Sequence, residues 1–270
     1  MVIRERGGVK FYTKINSRLS TNPNVSFFKS LNEINSENSL IFNSVFKESA
    51  DKTKLWQHFQ GIEIETSKDI FDEEIINLMD FNCDQKNNVH FFYTLPFSKN
   101  RALIETTWLS SLADESLQDY DLQLENYIKN NLGIKSYKIN FTEKGAIPLF
   151  YPIFKNDNKT INIGSAGGMT RLSTGYTFLN IQEHSKYLVK NIENIDKIKK
   201  FNLGKKYQFL DKVFLRVLKK YPEKMPKIFF NIFNASSKTI IKFLSNKSNI
   251  FEDFSIISKM PKLLFIKAIF

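Results

Sequence analysis

Hydrophobic and polar positions alternate most clearly in the middle of the chain. Residues 58–66 (HFQGIEIET) set Ile62 and Ile64 against Glu63 and Glu65, which predicts a half-buried strand. VHFFYTLPF (89–97) and RALIETTWL (101–109) predict two more, joined as a hairpin by the polar turn after Pro96. SLQDYDLQLENYIKNNLG (116–133) has a helical period and ends at Gly133. YKINFTEKG (137–145) and AIPLFYPIF (146–154) return to strand. Upstream, residues 8–20 predict a short helix, and NVSFF (24–28) and SLIFNSVFK (39–47) predict strands on either side of the polar NEINSEN. The sum is a mostly antiparallel sheet around one helix, preceded by part of a βα unit.

A different pattern follows in TINIGSAGGMTRLSTGYTFLNIQEHSKYLVKNI (160–192). Ile161 and Ile163 predict a short strand, and Gly164, Gly167 and Gly168 a turn. Ser173 or Thr174 is placed to cap a helix carrying Ile181, Tyr187 and Leu188. Strand, glycine turn and helix start together make an anion site, because bare backbone approaches a ligand and the helix end offers free N–H groups. By itself the pattern is equally that of a structural turn.

Charge changes the picture at the C-terminal end. Of the net +11, residues 196–270 carry 17 Lys/Arg and 5 Asp/Glu, a local +12, and the first 195 residues carry −1. In FLDKVFLRVLKKY (209–221) Phe209, Leu210, Val213, Phe214, Val217 and Leu218 recur at helical spacing among Lys212, Arg216, Lys219 and Lys220. KIFFNIF, TIIKFL and KLLFIKAIF continue the mixture. Basic amphipathic helices suit an anionic membrane surface, and a helical subdomain with a solvated lysine face has the same pattern. No recognition motif accompanies the charge, which argues against nucleic acid. No apolar run of about 18 residues predicts an ordinary membrane-spanning helix, and the N-terminus has no apolar signal core. Cys83 is the single cysteine, which excludes an internal disulfide framework and a cysteine zinc site and fits a reducing compartment. His58, His90 and His184 have no metal-ligand spacing, so no metal site is expected.

One residue breaks an apolar strand. In Leu103-Ile104-Glu105-Thr106-Thr107, alternation puts Leu103, Glu105 and Thr107 on one face and Ala102, Ile104 and Thr106 on the other. Glu105 then either faces solvent or lines an apolar pocket, where burial would raise its proton affinity and suit it to proton donation.

These residues carry a family resemblance. WQHFQGIEIE (56–65), MDFNCDQ (79–85), FFYTLPFSKNRALIETTW (91–108), EKGAIPLF (143–150), IGSAGGMTRLSTGYTFLNIQ (163–182) and EDFSIISKMPKLLFIKAIF (252–270) resemble, in order, blocks of bacterial lycopene β-cyclases. The resemblance implies an enzyme that converts lycopene through γ-carotene to β-carotene by protonation and ring closure, needing reduced FAD with NADPH as electron source but no net redox. It implies that Glu105 is the essential acid, with Thr106 where a second acid often stands. Gly164, Gly167, Gly168, Ser173, Thr174 and Gly175 would contact flavin. Phe91, Tyr93, Trp108 and Tyr176 would line the substrate site and offer electron-rich faces to a cation. The implied class is an α/β flavoprotein fold with an antiparallel-sheet substrate domain and a helical tail. Its expected divisions are 1–57 (rest of the FAD domain), 58–154 (substrate sheet), 155–195 (second flavin contact) and 196–270 (basic helical region). The implied location is cytoplasmic, at the surface of the inner membrane.

The Gly-x-Gly-x-x-Gly unit that holds the ADP half of FAD is absent, since the ten glycines fall at 7, 8, 61, 133, 145, 164, 167, 168, 175 and 204. Residues 8–28 resemble a region well inside a full-length cyclase, so Met1 is expected to mark an internal start, with poor FAD binding and unpaired sheet edges. Two other readings stay open: an inactive fragment that at most binds membrane, and a related flavoprotein that oxidises or hydroxylates a lipid.

Overall fold

The computed structural model describes residues 5–34, 39–46, 51–152, 159–198 and 201–269, with the side chains of all but 5–11, 31 and 195–197. Met1, the end of the strand expected at 39–47 and the end of that expected at 146–154 lie outside them.

Five strands form the antiparallel sheet, in the order β3-β4-β5-β2-β6. They are β2 (Leu55–Glu65), β3 (Asn77–Asp80), β4 (Val89–Ser98), β5 (Arg101–Ser111) and β6 (Lys138–Pro148). The β4–β5 hairpin and the alternating strand stand as read, with β2 beginning three residues earlier at Leu55. Residues 138–148 form one strand rather than parts of two. Gly145 does not break it, because a Cβ there would lie 2.8 Å from the Phe59 ring, so the glycine admits that ring. A separate pair, β1 (Ile41–Asn43) with β7 (Thr160–Asn162), is the one parallel pairing among the described residues.

Helix α1 (Glu5–Ser20) forms as predicted. The strand expected at 24–28 does not: the Asn24 N–H turns back to Asn22 Oδ1, and Phe27 and Phe28 are exposed with no partner strand. The helix expected from 116 is two pieces. Asp114 caps a single 3-10 turn (Glu115–Leu117), and Asp119 caps α2 (Tyr120–Asn126), which runs into a π turn (Tyr127–Asn131). Each aspartate accepts a bond from an N–H that would otherwise be orphaned. Gly133, at φ +69°, lets the chain leave.

The two faces of the sheet are covered differently. One packs Ile62, Ile64, Phe92, Ala102 and Ile104 on Leu124, Tyr127 and Ile128 of α2 and its π turn. The other packs Leu55, Val89, Phe91 and Leu109 on the C-terminal helices. These are α4 (Lys205–Lys220), α5 (Met225–Phe233), α6 (Ser237–Leu244), α7 (Ile250–Ile257) and α8 (Lys262–Ile269), preceded by α3 (Phe178–Asn191). The fold is therefore mixed α/β, with an antiparallel sheet between a short helix and a helical C-terminal region.

Candidate active site

Directly opposed residues of antiparallel strands project to the same face. Tyr93 is paired with Glu105 and Phe91 with Thr107, so all four stand on the face covered by the C-terminal helices. Glu105 is half-buried, and the fully buried Thr107 donates from Oγ1 to Glu105 Oε1 at 2.6 Å. Burial raises the Glu105 carboxyl to about 7, against the Thr107 bond and with help from the negative charge of Glu143. Desolvation penalises the charged form, so this carboxyl holds its proton near neutrality. Burial, then the neighbouring Glu105 and Tyr176, push the Tyr93 phenol upward, and it stays neutral. Glu105 thus stands half-buried on the helix-covered face rather than fully in solvent.

Beside this pair lies a cavity of about 200 Å3. Phe91, Tyr93 and Leu109 form its floor, the loop 171–176 one wall, and Phe209, Phe214, Phe229 and Phe265 much of the rest. Glu105 is not itself a wall residue; it stands in register beside Tyr93, which is. An apolar cavity of about 150 Å3 stays dry and holds a benzene ring, so this space suits one ring-sized end of a hydrocarbon.

The loop after β7 is fixed by its own bonds. The Arg171 N–H reaches Tyr176 O and the Gly175 N–H reaches Arg171 O, both at 2.8 Å. Gly175, at φ +71°, lies so close to β2 that a Cβ would sit 2.2 Å from Gln57 Oε1. Arg171 and Asp211, each about 1% exposed, form an ion pair at 2.7 Å. Asp211 also accepts from the Leu172 N–H and from Ser173 Oγ, and Arg171 donates to Phe243 O in the last turn of α6 and to Asn246 Oδ1 just beyond it. One buried ion pair therefore ties the loop to α4 and to the α6–α7 turn. The sequence carried the signal: Asp211 is the lone acid of a strongly basic helix and falls on its apolar face.

The hydroxyls of Ser173 and Thr174 have local partners, Asp211 and the Tyr176 N–H. Neither caps the following helix. That helix, α3, starts at Phe178 after Thr177, whose side chain makes no cap bond. This leaves first-turn N–H groups for an outside acceptor. Gly164, at φ +60°, is buried, and its carbonyl accepts from the Gly167 and Met169 N–H groups, which closes the turn. Gly167 is closed, since a Cβ would sit 2.5 Å from Asn162 O. The uncapped start of α3 can take an outside acceptor, with Gly164, Gly167 and Gly168 shaping the turn before it.

Trp108 must be removed from the substrate side. It is 1% exposed on the opposite face, stacked on His90 at 3.8 Å, and donates to Gln123 Oε1 at 3.0 Å. Three residues beyond Glu105 on a pleated strand lies the other side of the sheet. Trp108→Phe is expected to cost about 1 kcal/mol of stability through the lost bond and to leave product formation unchanged, read by a thermal melt and a product assay. Beside it, His58 bonds Tyr120 and Ser110 and His90 bonds Thr106; burial lowers both imidazoles to about 4, so they are neutral packing groups.

The profile of the lycopene cyclase protein family matches residues 28–269, and the chain belongs to that family. The lycopene beta cyclase of Solanum lycopersicum is 32% identical over 133 residues, 45% of this chain and 26% of the relative. That of Capsicum annuum is 30% identical over 132 residues, with the same coverage. The matched part thus amounts to about a quarter of each plant protein. Among solved structures, a geranylgeranyl bacteriochlorophyll reductase-like protein from Thermoplasma acidophilum superposes with a TM-score of 0.49 at 15% identity, over 80% of this chain and 55% of its own.

Proposed function

We propose that this chain carries the cyclisation face of a lycopene β-cyclase, which closes the ends of lycopene into β-rings through γ-carotene to β-carotene. The observation that carries the reading is a half-buried carboxyl, Glu105, whose proton affinity burial raises and which stands in register beside Tyr93 of an apolar, ring-sized cavity wall. Glu105 gives its proton to the terminal double bond. A tertiary cation forms, the neighbouring double bond attacks it, and the ring closes. Loss of a ring proton leaves a product of the same formula, so no net electron transfer is needed. Tyr93, Phe91 and Tyr176 place aromatic faces near the cation, and the phenylalanine wall keeps water from quenching it.

The uncapped start of α3, after the glycine turn 164–168, would hold FAD. The chemistry that reduced FAD would bring when bound is negative charge to offset a cation, with NADPH as the electron source.

A hydrocarbon substrate lives in lipid, and the C-terminal helices suit a membrane surface. Phe251 is 86% exposed, Ile250 78% and Leu263 74%, beside Lys259, Lys262 and Lys267. Phe209, Phe233, Ile257 and Ile269 are both exposed and part of the cavity wall, which makes a mouth on the same surface. Among the described residues no helix is long and apolar enough to cross a membrane, so the contact is peripheral. Exposed aromatics next to lysines gain from both acyl chains and anionic headgroups. Phe251→Asp with Phe254→Asp is expected to lower sedimentation with anionic vesicles at least about tenfold, given roughly 1.5–3 kcal/mol per buried phenylalanine; equal sedimentation would remove this surface from the proposal.

Expression in lycopene-accumulating cells tests the function. The expected result is γ- and β-carotene by chromatography. Unchanged lycopene with folded protein present, or a product that has gained oxygen, would overturn it.

A further inference from the structure

Two carboxyls meet across the middle of β2. In register, Gly61 stands between Glu105 of β5 and Glu143 of β6. Direct pairing puts both acids on the face that the C-terminal helices cover. With strands about 4.8 Å apart, their backbones are separated by about 10 Å across Gly61. The side chain of Glu143 leans into that gap: a Cβ on Gly61 would lie 3.3 Å from Glu143 Cγ and 3.3 Å from its Oε1. Gly61 is not held in a left-handed conformation. A glycine in a strand interior then marks a close approach of other groups, and here the groups are Leu103 Cδ1, 3.2 Å from the same Cβ position, and the Glu143 side chain, lying over bare backbone on the Glu105 face.

Position 106 cannot supply a second acid to this face. Thr106 is fully buried on the opposite side, bonded to His90 and Gln123. A carboxyl placed there would point away from the cavity. The neighbouring strand β6, not the neighbouring residue, brings the second acid.

We propose that Glu143 is a positioning residue for Glu105: held over the bare Cα of Gly61, its negative charge makes early loss of the Glu105 proton costly. The inference rests on the reading of Glu105 as the proton donor. Other titratable and charged groups stand on the elements packed around this face. Tyr93 on β4 and Tyr176 in the loop are neutral phenols, pushed upward first by burial. Arg101 Nε of β5 lies 2.9 Å from Glu63 Oε1 of β2, and Arg171 of the loop is paired with Asp211 of α4. Thr107 donates to Glu105 and favours its charged form. Like charges on one site disfavour double ionisation, and Glu143 is the like charge acting on Glu105.

The test is a carboxyl-carbon NMR titration of the purified chain labelled at glutamate, with the Glu105 signal assigned by its loss in Glu105→Gln. In Glu143→Gln the Glu105 midpoint is expected to fall by about half a pH unit or more, roughly a threefold loss of proton affinity. Glu143→Asp keeps the charge and is expected to retain a midpoint above that of Glu143→Gln. It also serves if the glutamine variant does not fold, because its shorter reach lowers the midpoint below that of the unaltered chain. Midpoints equal to that of the unaltered chain in the folded variants would overturn the proposal. A shifted midpoint with Glu105→Gln still cyclising lycopene would sink the cyclase reading but not the coupling; an unmoved midpoint with Glu105→Gln inactive would do the reverse.

Discussion

Glu105→Gln is expected to abolish conversion of lycopene in lycopene-accumulating cells, lowering the rate by about 10²–10⁴-fold, the range for a positioned general acid. Glutamine keeps the shape and can still accept the Thr107 bond, but it carries no transferable acid proton. Loss of activity would not reflect loss of fold, and linkage shows why. The Glu105 carboxyl is raised from 4.5 to about 7, mainly by burial. A raised acid contributes stability that is fully present below about 4.5 and is lost as pH rises through about 7. The glutamine variant has no such loss, so its melting temperature above pH 7 should equal or exceed that of the unaltered chain. A variant that still makes β-carotene would remove Glu105 from the reaction.

Asp211→Ala is expected to have the largest effect on stability. It leaves Arg171 as a buried charge and takes the acceptor from the Leu172 N–H and Ser173 Oγ. Breaking one side of a buried pair costs about 3–5 kcal/mol, which for a chain of this size lowers the melting midpoint by roughly 10 °C. The cavity should suffer as well, since the loop 171–176 is one of its walls. Replacing both partners with apolar residues of similar volume should recover much of the stability, but it would not restore the bonds that shape the loop. Calorimetry on the three proteins checks this, and an unchanged melt for Asp211→Ala would contradict the role given to the pair.

The legible parts of the fold were those with a strong period. Alternation in β2, β4 and β5 set the sheet, and it put Glu105 on the opposite side from Ile104 before any contact was known. The same parity separated Glu105 from Trp108; aromatic chemistry suggested otherwise because closeness along a pleated strand is not closeness across it. The segment 24–28 has strand composition but no partner, and pairing is a tertiary property. Ser173 reads as a helix cap until Asp211, 38 residues on, claims its hydroxyl. Nothing in EKGAIPLF (143–150) marks Glu143 along the chain. Its place depends on β6 pairing with β2 so that Gly61 falls between two acids, and that register is set by the whole sheet.

The pH dependence of cyclisation, measured from pH 6 to 9 with the substrate in vesicles, tests most directly whether Glu105 acts as the protonated acid. A donor with its midpoint near 7 gives a plateau at the acid end and a fall approaching tenfold per pH unit above about 8. A rate that stays level to pH 9, or rises, would contradict it.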